Sequence, residues 1–288
     1  MQILTNHKSS IFLIFIILLT LLMLSFHWNI IKLQAYTIIR SISKIDIAYV
    51  TKDFVKLESG SFVIIHKAAD QESALLVAET ANEVFEPVNR MLDYTGQNAI
   101  PVILYPTMEE LNHSFGWEGD KSPMGVYWMG TIRVLAPEAW IDQQEDQEKV
   151  FKQMGPMAHE YAHLVVDYKT NGNYPRWFTE GVAQYVEKKL TGFTLDEPSN
   201  ADKLNIYNFR KLDKEFDEQA NQELAYWQSL IAVEYLVDKN GPEIINRILT
   251  ELGNGKGFAD AFSGVTGESF PSFVREIREY VQLNQPGI

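Results

Sequence analysis

The stretch that decides the fold runs from Met157 to Glu187 and reads MAHEYAHLVVDYKTNGNYPRWFTEGVAQYVE. Within it, His159, Glu160 and His163 spell H-E-x-x-H. Because residues four apart lie one turn apart on one face of a helix, both imidazoles can bind the same metal ion. Zinc suits two neutral imidazole nitrogens, a carboxylate and an open fourth position for water, whose proton Glu160 can accept. We therefore expect a zinc site on this helix.

The third zinc ligand is expected to be acidic and to lie downstream, on a second helix folded back against the first. Residues 171–175, NGNYP, are typical of a turn. Residues 177–188 have the pattern of a helix, and Glu180 lies near its start. Glu180 is therefore the predicted third ligand.

A simpler interpretation of the motif stays open, because H-E-x-x-H also occurs in helices that carry two surface histidines beside a glutamate. Two features favour the metal site. The chain has only six histidines, and two of them fall in this register. The motif is also followed by a proline-led, aromatic-rich segment, residues 175–185 (PRWFTEGVAQY), which carries the acid.

The motif and the downstream pattern P-x-W-[LF]-x-E-G-x-A-x-Y resemble the gluzincin metallopeptidases of the peptidase MA-like group. The resemblance implies a zincin-like α+β fold with one zinc ion per chain. It also implies that His159, His163 and Glu180 are the zinc ligands and that Glu160 is the general base and acid. Several gluzincins have an aspartate four residues after the glutamate ligand. Here that position is Gln184. Its amide oxygen can accept an imidazole N–H but brings no negative charge, which would lower the basicity of the ligating imidazole.

By the same resemblance, a tyrosine on a helix beyond Glu180 donates a hydrogen bond to the oxyanion formed during hydrolysis. Residues 225–239, AYWQSLIAVEYLVDK, predict a strongly apolar helix that ends at the stop signal of residues 240–242, NGP. Tyr226 is the candidate catalytic tyrosine, and Tyr235 is the alternative. Packing in the core is a simpler explanation for both.

Composition narrows the range of possible functions. The net charge is −13, and no basic run is interleaved with aromatic residues, so nucleic acid is not an expected partner. Cysteine is absent, which excludes disulfides, a thiol nucleophile and thiolate metal ligands. Histidine and carboxylate are therefore the ligand types left for zinc.

Residues 11–26, IFLIFIILLTLLMLSF, form a nearly uninterrupted apolar run that resumes briefly at Ile30 and Ile31. Counted to Ile31, the run is about long enough to span a bilayer, which takes roughly 20 residues. We expect an uncleaved N-terminal transmembrane helix. A cleaved signal peptide is the alternative, with residues 33–35 (LQA) as a weak cleavage site. The expected location is the cell membrane, single-pass, with the catalytic domain on the extracytoplasmic side, as for other tethered exported hydrolases.

The predicted organisation has four parts, and the last two form one catalytic unit. They are a signal-anchor segment at 1–34, a juxtamembrane helix or linker at 35–53, a sheet-containing subdomain at 54–145 and a helical subdomain with the zinc site at 146–288. In the third part, residues 124–135 predict a hairpin around Met129-Gly130. By the resemblance, this hairpin supplies an edge strand that holds an extended peptide, with Tyr127 and Trp128 lining the cleft or packing across the strands.

Taken together, these patterns predict a membrane-anchored zinc metallopeptidase that hydrolyses peptide bonds in a peptide or protein substrate. A catalytically silent zincin-like binding or sensing module at the membrane surface is the alternative. Hydrolysis of another bond by the same zinc-activated water is a further one. No pattern in the chain distinguishes an endopeptidase from an aminopeptidase or indicates an oligomeric state.

Overall fold

The architecture is α+β, with a small mixed sheet followed by a mainly helical half, as the sequence predicts. The structure is a computed structural model that describes residues 28–96, 99–117, 123–198 and 206–283. The apolar run at 11–26, on which the anchor prediction depends, lies outside the described residues. Among the residues that are described, no helix is long and apolar enough to cross a membrane.

Five strands form one sheet in the spatial order β1-β2-β3-β5-β4. Their bounds are β1 (Val55–Ser59), β2 (Phe62–His66), β3 (Ile100–Tyr105), β4 (Gly125–Trp128) and β5 (Thr131–Leu135). The three central strands β2, β3 and β5 are parallel, whereas β1 and β4 pair antiparallel with their neighbours. The predicted hairpin around Met129-Gly130 is confirmed. Both residues have the positive φ, 46° and 84°, that a tight two-residue hairpin turn needs. Strand β4 is an edge strand of the sheet.

Helices make up most of the rest of the described chain. They are α1 (Trp28–Val50), α2 (Gln71–Met91), α3 (Met108–His113), α4 (Gln147–Met154), α5 (Met157–Thr170), α6 (Arg176–Thr191), α7 (Phe209–Lys214), α8 (Gln222–Asn240), α9 (Glu243–Gly253), α10 (Phe258–Thr266) and α11 (Phe270–Leu283). Segment 35–53, for which the sequence predicts a helix or a linker, is helical over most of its length. The H-E-x-x-H helix begins directly after Pro156. Proline is tolerated there because it lacks a backbone N–H, and an N–H at the start of a helix has no partner within the helix.

Aromatic contacts fix the two motif helices to the rest of the fold. On α5, Tyr161 is fully buried, and its ring lies 5.5 Å from the rings of Phe62 on β2 and Phe85 on α2. On α6, Trp177 is buried against Phe209 and other phenylalanines of the C-terminal helices. Each such pair adds about 0.5–1.5 kcal/mol beyond the area that it buries. The H-E-x-x-H helix is thereby held on the sheet, and the helix with Glu180 is held by the helical half.

Helices α6 and α8 approach each other closely at Gly181. A side chain at this position would overlap the backbone oxygen of Ser229 on α8. Glycine therefore allows α8, which carries Tyr226, to pack directly beside the turn of α6 that carries Glu180.

Candidate metal centre

The two histidines and the glutamate come together because the chain reverses sharply between α5 and α6. Helix α5 ends at Thr170, and Asn171 and Gly172 follow in the left-handed conformation with φ of 51° and 76°. This is the turn predicted from NGNYP. It folds α6 back along α5, so that Glu180 faces His159 and His163.

Three ligand atoms of these side chains lie within 3.5 Å of one another. The distance from His159 Nε2 to His163 Nε2 is 3.1 Å, and Glu180 Oε2 lies 3.4 Å and 3.5 Å from the two nitrogens. In a tetrahedral zinc site, bonds of about 2.0–2.1 Å place neighbouring ligand atoms about 3.3 Å apart. The three predicted ligands therefore have the spacing of one coordination sphere.

The other nitrogen of each imidazole contacts an oxygen. His159 Nδ1 lies 3.1 Å from Glu187 Oε2, and His163 Nδ1 lies 2.7 Å from Thr179 Oγ1. When each neutral ring carries its proton on Nδ1, both Nε2 lone pairs point at Glu180 Oε2. That oxygen is buried and makes no ordinary hydrogen bond within the described chain. Three electron-pair donors that face one another in a buried place fit a bound cation.

Charged neighbours set the protonation of this cluster. Burial alone would raise the pKa of Glu180, but Arg176 and the two histidines outweigh it and hold that pKa well below its usual range. Burial would lower the pKa of His159, but its contacts with Glu180 and Glu187 raise it well above normal. Glu180 is therefore ionised, and the cluster attracts a positive charge, whether a proton or a metal ion.

Glu160 lies beside this cluster and faces a cavity of about 670 Å³. The cavity is lined by Tyr127, Trp128, Glu160, His163, Glu180 and Tyr226, among others. Glu160 Oε2 accepts a hydrogen bond from the backbone N–H of Tyr127 at 2.5 Å. Burial and the nearby charge of Glu180 raise the pKa of Glu160. The predicted general base is thus at the cavity wall, next to the ligand atoms.

The structure distinguishes between the two candidate tyrosines. Tyr226 lines the cavity, and its ring packs edge-on against Phe216 at 5.1 Å. The charge of Glu180, followed by burial, raises the pKa of Tyr226, which keeps its O–H protonated. Tyr235 instead donates to Glu276 at 3.0 Å and is absent from the cavity lining.

Gln184 does not act as the partner of an imidazole. Its amide nitrogen donates to the backbone oxygens of Glu180 and Tyr226 at 3.2 Å and 3.0 Å, and its own oxygen contacts no imidazole N–H. The carboxylate that contacts Nδ1 of His159 belongs to Glu187, which lies about one turn after Gln184 on α6. The sequence contained a signal for it, because residues 180, 184 and 187 follow one face of a helix.

Two further residues of the site were not singled out in the sequence. Thr179 contacts His163 Nδ1 through its hydroxyl, and Arg176 pairs with Glu180 Oε1 at 3.0 Å. Arg176 precedes Glu180 by four residues, the spacing of an ion pair on a helix. Thr179 carries no comparable pattern, because threonine at the start of a helix is common for other reasons.

Comparison with known proteins agrees with the geometry of the helical half. Residues 144–282 match the family described as Peptidase MA superfamily. A protein of Bacillus subtilis (strain 168), named "Uncharacterized protein YhcO", is 23% identical over 247 residues, which cover 81% of this chain and 74% of that protein. The match begins before α4 and ends within α11, so it includes all three predicted ligand residues. It indicates a zincin-like, peptidase-related domain.

We predict that Glu187→Gln weakens zinc binding about 10- to 100-fold, because a carboxylate behind a ligating imidazole raises its basicity and fixes its orientation. Glu72→Gln removes the same charge from an exposed position in the first turn of α2 and is the control. Zinc affinity is measured by competition with a chromogenic chelator. Equal affinity of Glu187→Gln and the parent would show that this contact does not support the metal.

Proposed function

We propose that this chain is a zinc-dependent metallopeptidase with His159, His163 and Glu180 as ligands and Glu160 as general base. The observation that carries the proposal is the arrangement of two imidazole Nε2 atoms and a buried carboxylate oxygen within 3.5 Å of one another, directly beside a cavity. The match of the same helices to the Peptidase MA superfamily supports peptides as the substrate class.

Each residue of the site then has a distinct task. When bound, zinc supplies a Lewis acid that lowers the pKa of a water toward about 7 and polarises the substrate carbonyl. Glu160 accepts the proton of the attacking water and delivers it to the leaving amine. Glu187 and Thr179 keep the two imidazoles oriented through their Nδ1 atoms. Tyr226 lines the cavity, and in the proposed mechanism its O–H donates to the oxyanion of the tetrahedral intermediate.

The position of β4 supports an extended peptide as the substrate. Strand β4 is at the sheet edge, and all four of its residues line the cavity. An edge strand binds an extended chain through backbone hydrogen bonds whatever its sequence, while pockets beside it select side chains. Trp128 is half-exposed at this edge and offers an apolar surface to such a chain.

We also propose that residues 11–26 anchor the chain in the cell membrane, with the site on the extracytoplasmic side. The support is the length and apolar character of this run in the sequence. We expect the parent to stay in the membrane pellet after alkaline carbonate extraction, and a variant without residues 1–27 to be released. Protease added outside intact spheroplasts is expected to degrade the parent. Release of the parent by carbonate would contradict the anchor, and protection from protease would reverse the orientation.

We predict that Glu160→Gln retains one zinc per chain and loses peptidase activity by about 10²- to 10⁴-fold, because the amide accepts no proton. His163→Gln is expected to lose the metal, whereas His113→Gln, on the exposed face of α3, keeps both metal and activity. Metal content is measured by elemental analysis, and cleavage on a mixed peptide library.

Each outcome of that experiment decides between the candidate functions. Zinc in the parent and in Glu160→Gln, with cleavage by neither, favours the catalytically silent binding or sensing module. Full activity of Glu160→Gln would mean that another group is the base. Absence of zinc from both proteins would remove the basis of the proposal.

A second prediction concerns the oxyanion. Tyr226→Phe is expected to lower kcat about 10²-fold with little change in KM, because the lost hydrogen bond forms chiefly in the transition state. Tyr235→Phe also removes one tyrosine O–H from α8, but outside the cavity, and is expected to keep the parent kcat. Equal kcat values for the two variants would exclude Tyr226 from this role.

A further inference from the structure

A buried hydrogen-bond network lies two turns along α5 from Glu160 and is not part of the chemistry proposed above. Its centre is Asp167, whose side chain is fully buried. This carboxylate accepts hydrogen bonds from Arg40 at 2.7 Å, Tyr36 at 2.6 Å and Tyr127 at 2.6 Å. We call these four residues the Asp167 network. They connect α1, α5 and β4.

Tyr127 links the Asp167 network to the candidate active site. Its O–H donates to Asp167 Oδ2 and accepts the backbone N–H of Gly130 at 2.8 Å, while its own backbone N–H donates to Glu160 Oε2. One residue therefore fixes the hairpin turn, the position of β4 against α5 and one oxygen of Glu160. The orientation of the Glu160 carboxylate therefore depends on the position of β4.

The other end of the network is on α1. Tyr36 and Arg40 are four residues apart and so lie on the same face of this helix. The guanidinium of Arg40 also stacks on the ring of Tyr168 at 3.8 Å. Arg40 and Asp167 are both buried, and a buried ion pair is a poor source of stability compared with apolar packing of the same volume. Such a network is better explained by the geometry that it fixes.

We propose that Tyr127 is a positioning residue for Glu160, and that the Asp167 network makes this positioning depend on the docking of α1. The inference rests on the proposed function in that Glu160 is taken as the base. With the network intact, the Tyr127 N–H holds Glu160 Oε2 toward the cavity. When the network is broken, β4 is freer to move, and the Glu160 carboxylate is no longer held in one orientation. A displacement of about 1 Å in a catalytic group can cost about 10²-fold in rate.

Tyr127→Phe tests the proposal, because it keeps the ring and the backbone N–H and removes only the O–H. The matched control is Tyr161→Phe. Tyr161 is on α5 itself, and its O–H donates to Asn89 at 2.8 Å in the core, apart from the network and the cavity. Both variants are made in the full chain and compared with the parent for zinc content, kcat, KM and amide hydrogen exchange of residues 125–128.

The expected result is a selective effect of Tyr127→Phe. We expect one zinc per chain in both variants, a kcat about tenfold lower in Tyr127→Phe with KM within about twofold, and exchange in β4 about tenfold faster. Tyr161→Phe is expected to match the parent in kcat and in β4 exchange. A purely structural role of Tyr127 would lower thermal stability without this difference between the variants.

Tyr36→Phe tests the proposal from the side of α1 and remains available if Tyr127→Phe fails to fold. Tyr36 does not line the cavity, and its O–H is linked to Tyr127 through their shared acceptor Asp167. We expect faster β4 exchange and a kcat about threefold lower, with no further loss when it is combined with Tyr127→Phe, because residues of one network are not additive. Additive losses would overturn the part played by α1.

Hydrogen exchange separates this inference from the proposed function. A parent that binds zinc but cleaves no peptide contradicts the peptidase, yet the β4 exchange of Tyr127→Phe, Tyr36→Phe and Tyr161→Phe still tests the network. Equal β4 exchange in Tyr127→Phe and Tyr161→Phe overturns the inference. Loss of zinc from Tyr127→Phe also overturns it, because the network would then act on the metal ligands.

Discussion

The site depends on three electron-pair donors that are held close together in a buried place. Two imidazole nitrogens and a carboxylate oxygen lie within 3.5 Å, and the low dielectric of the interior strengthens their mutual repulsion. The rings are kept from turning away because Glu187 and Thr179 engage their other nitrogens. The arrangement is therefore destabilising on its own and becomes favourable when a positive charge sits among the three atoms.

Such an arrangement persists only on a stiff support, and the fold supplies one on each side. The buried ring of Tyr161 holds α5 against the sheet, and Trp177 holds α6 against the C-terminal helices. Gly181 lets α8 approach the turn that carries Glu180. The positions of the ligand atoms are thus fixed mainly by the packing of buried aromatic rings around them.

Local patterns predicted the parts of the site that one or two helical turns define. His159 and His163 are four residues apart on one helix, and the turn after it brings Glu180 to them, so spacing and turn residues were sufficient. Gln184 shows the limit of this reasoning. Its position on α6 is suitable for an imidazole partner, but its amide nitrogen donates to two backbone oxygens. The contact with His159 is made by Glu187 instead. Which of two residues on one face makes a contact depends on packing that spacing does not describe.

Contacts between distant parts of the chain could not be predicted at all. In the sequence, nothing distinguishes Asp167 from the other polar residues of its helix. Its hydrogen-bond donors Tyr36 and Arg40 lie more than 120 residues earlier in the chain. Segment 35–53 has a helical pattern, but nothing in its spacing indicates which helix it packs on. Composition and periodicity describe the faces of an element, whereas the choice of partner depends on complementary shape and hydrogen bonding across the whole fold.

Arg176 sets how many oxygens Glu180 can offer to a cation. Its guanidinium lies 3.0 Å from Glu180 Oε1, which leaves only Oε2 facing the imidazoles. A carboxylate that offers one oxygen, together with two imidazoles, amounts to three protein ligands, and hydrolytic zinc sites keep the fourth position open. Arg176 also offsets the negative charge of Glu180 in a cluster that contains two further carboxyl groups, those of Glu160 and Glu187. In the proposed zinc site, Arg176 therefore restricts Glu180 to one ligand oxygen, although it has no lone pair of its own to give a metal.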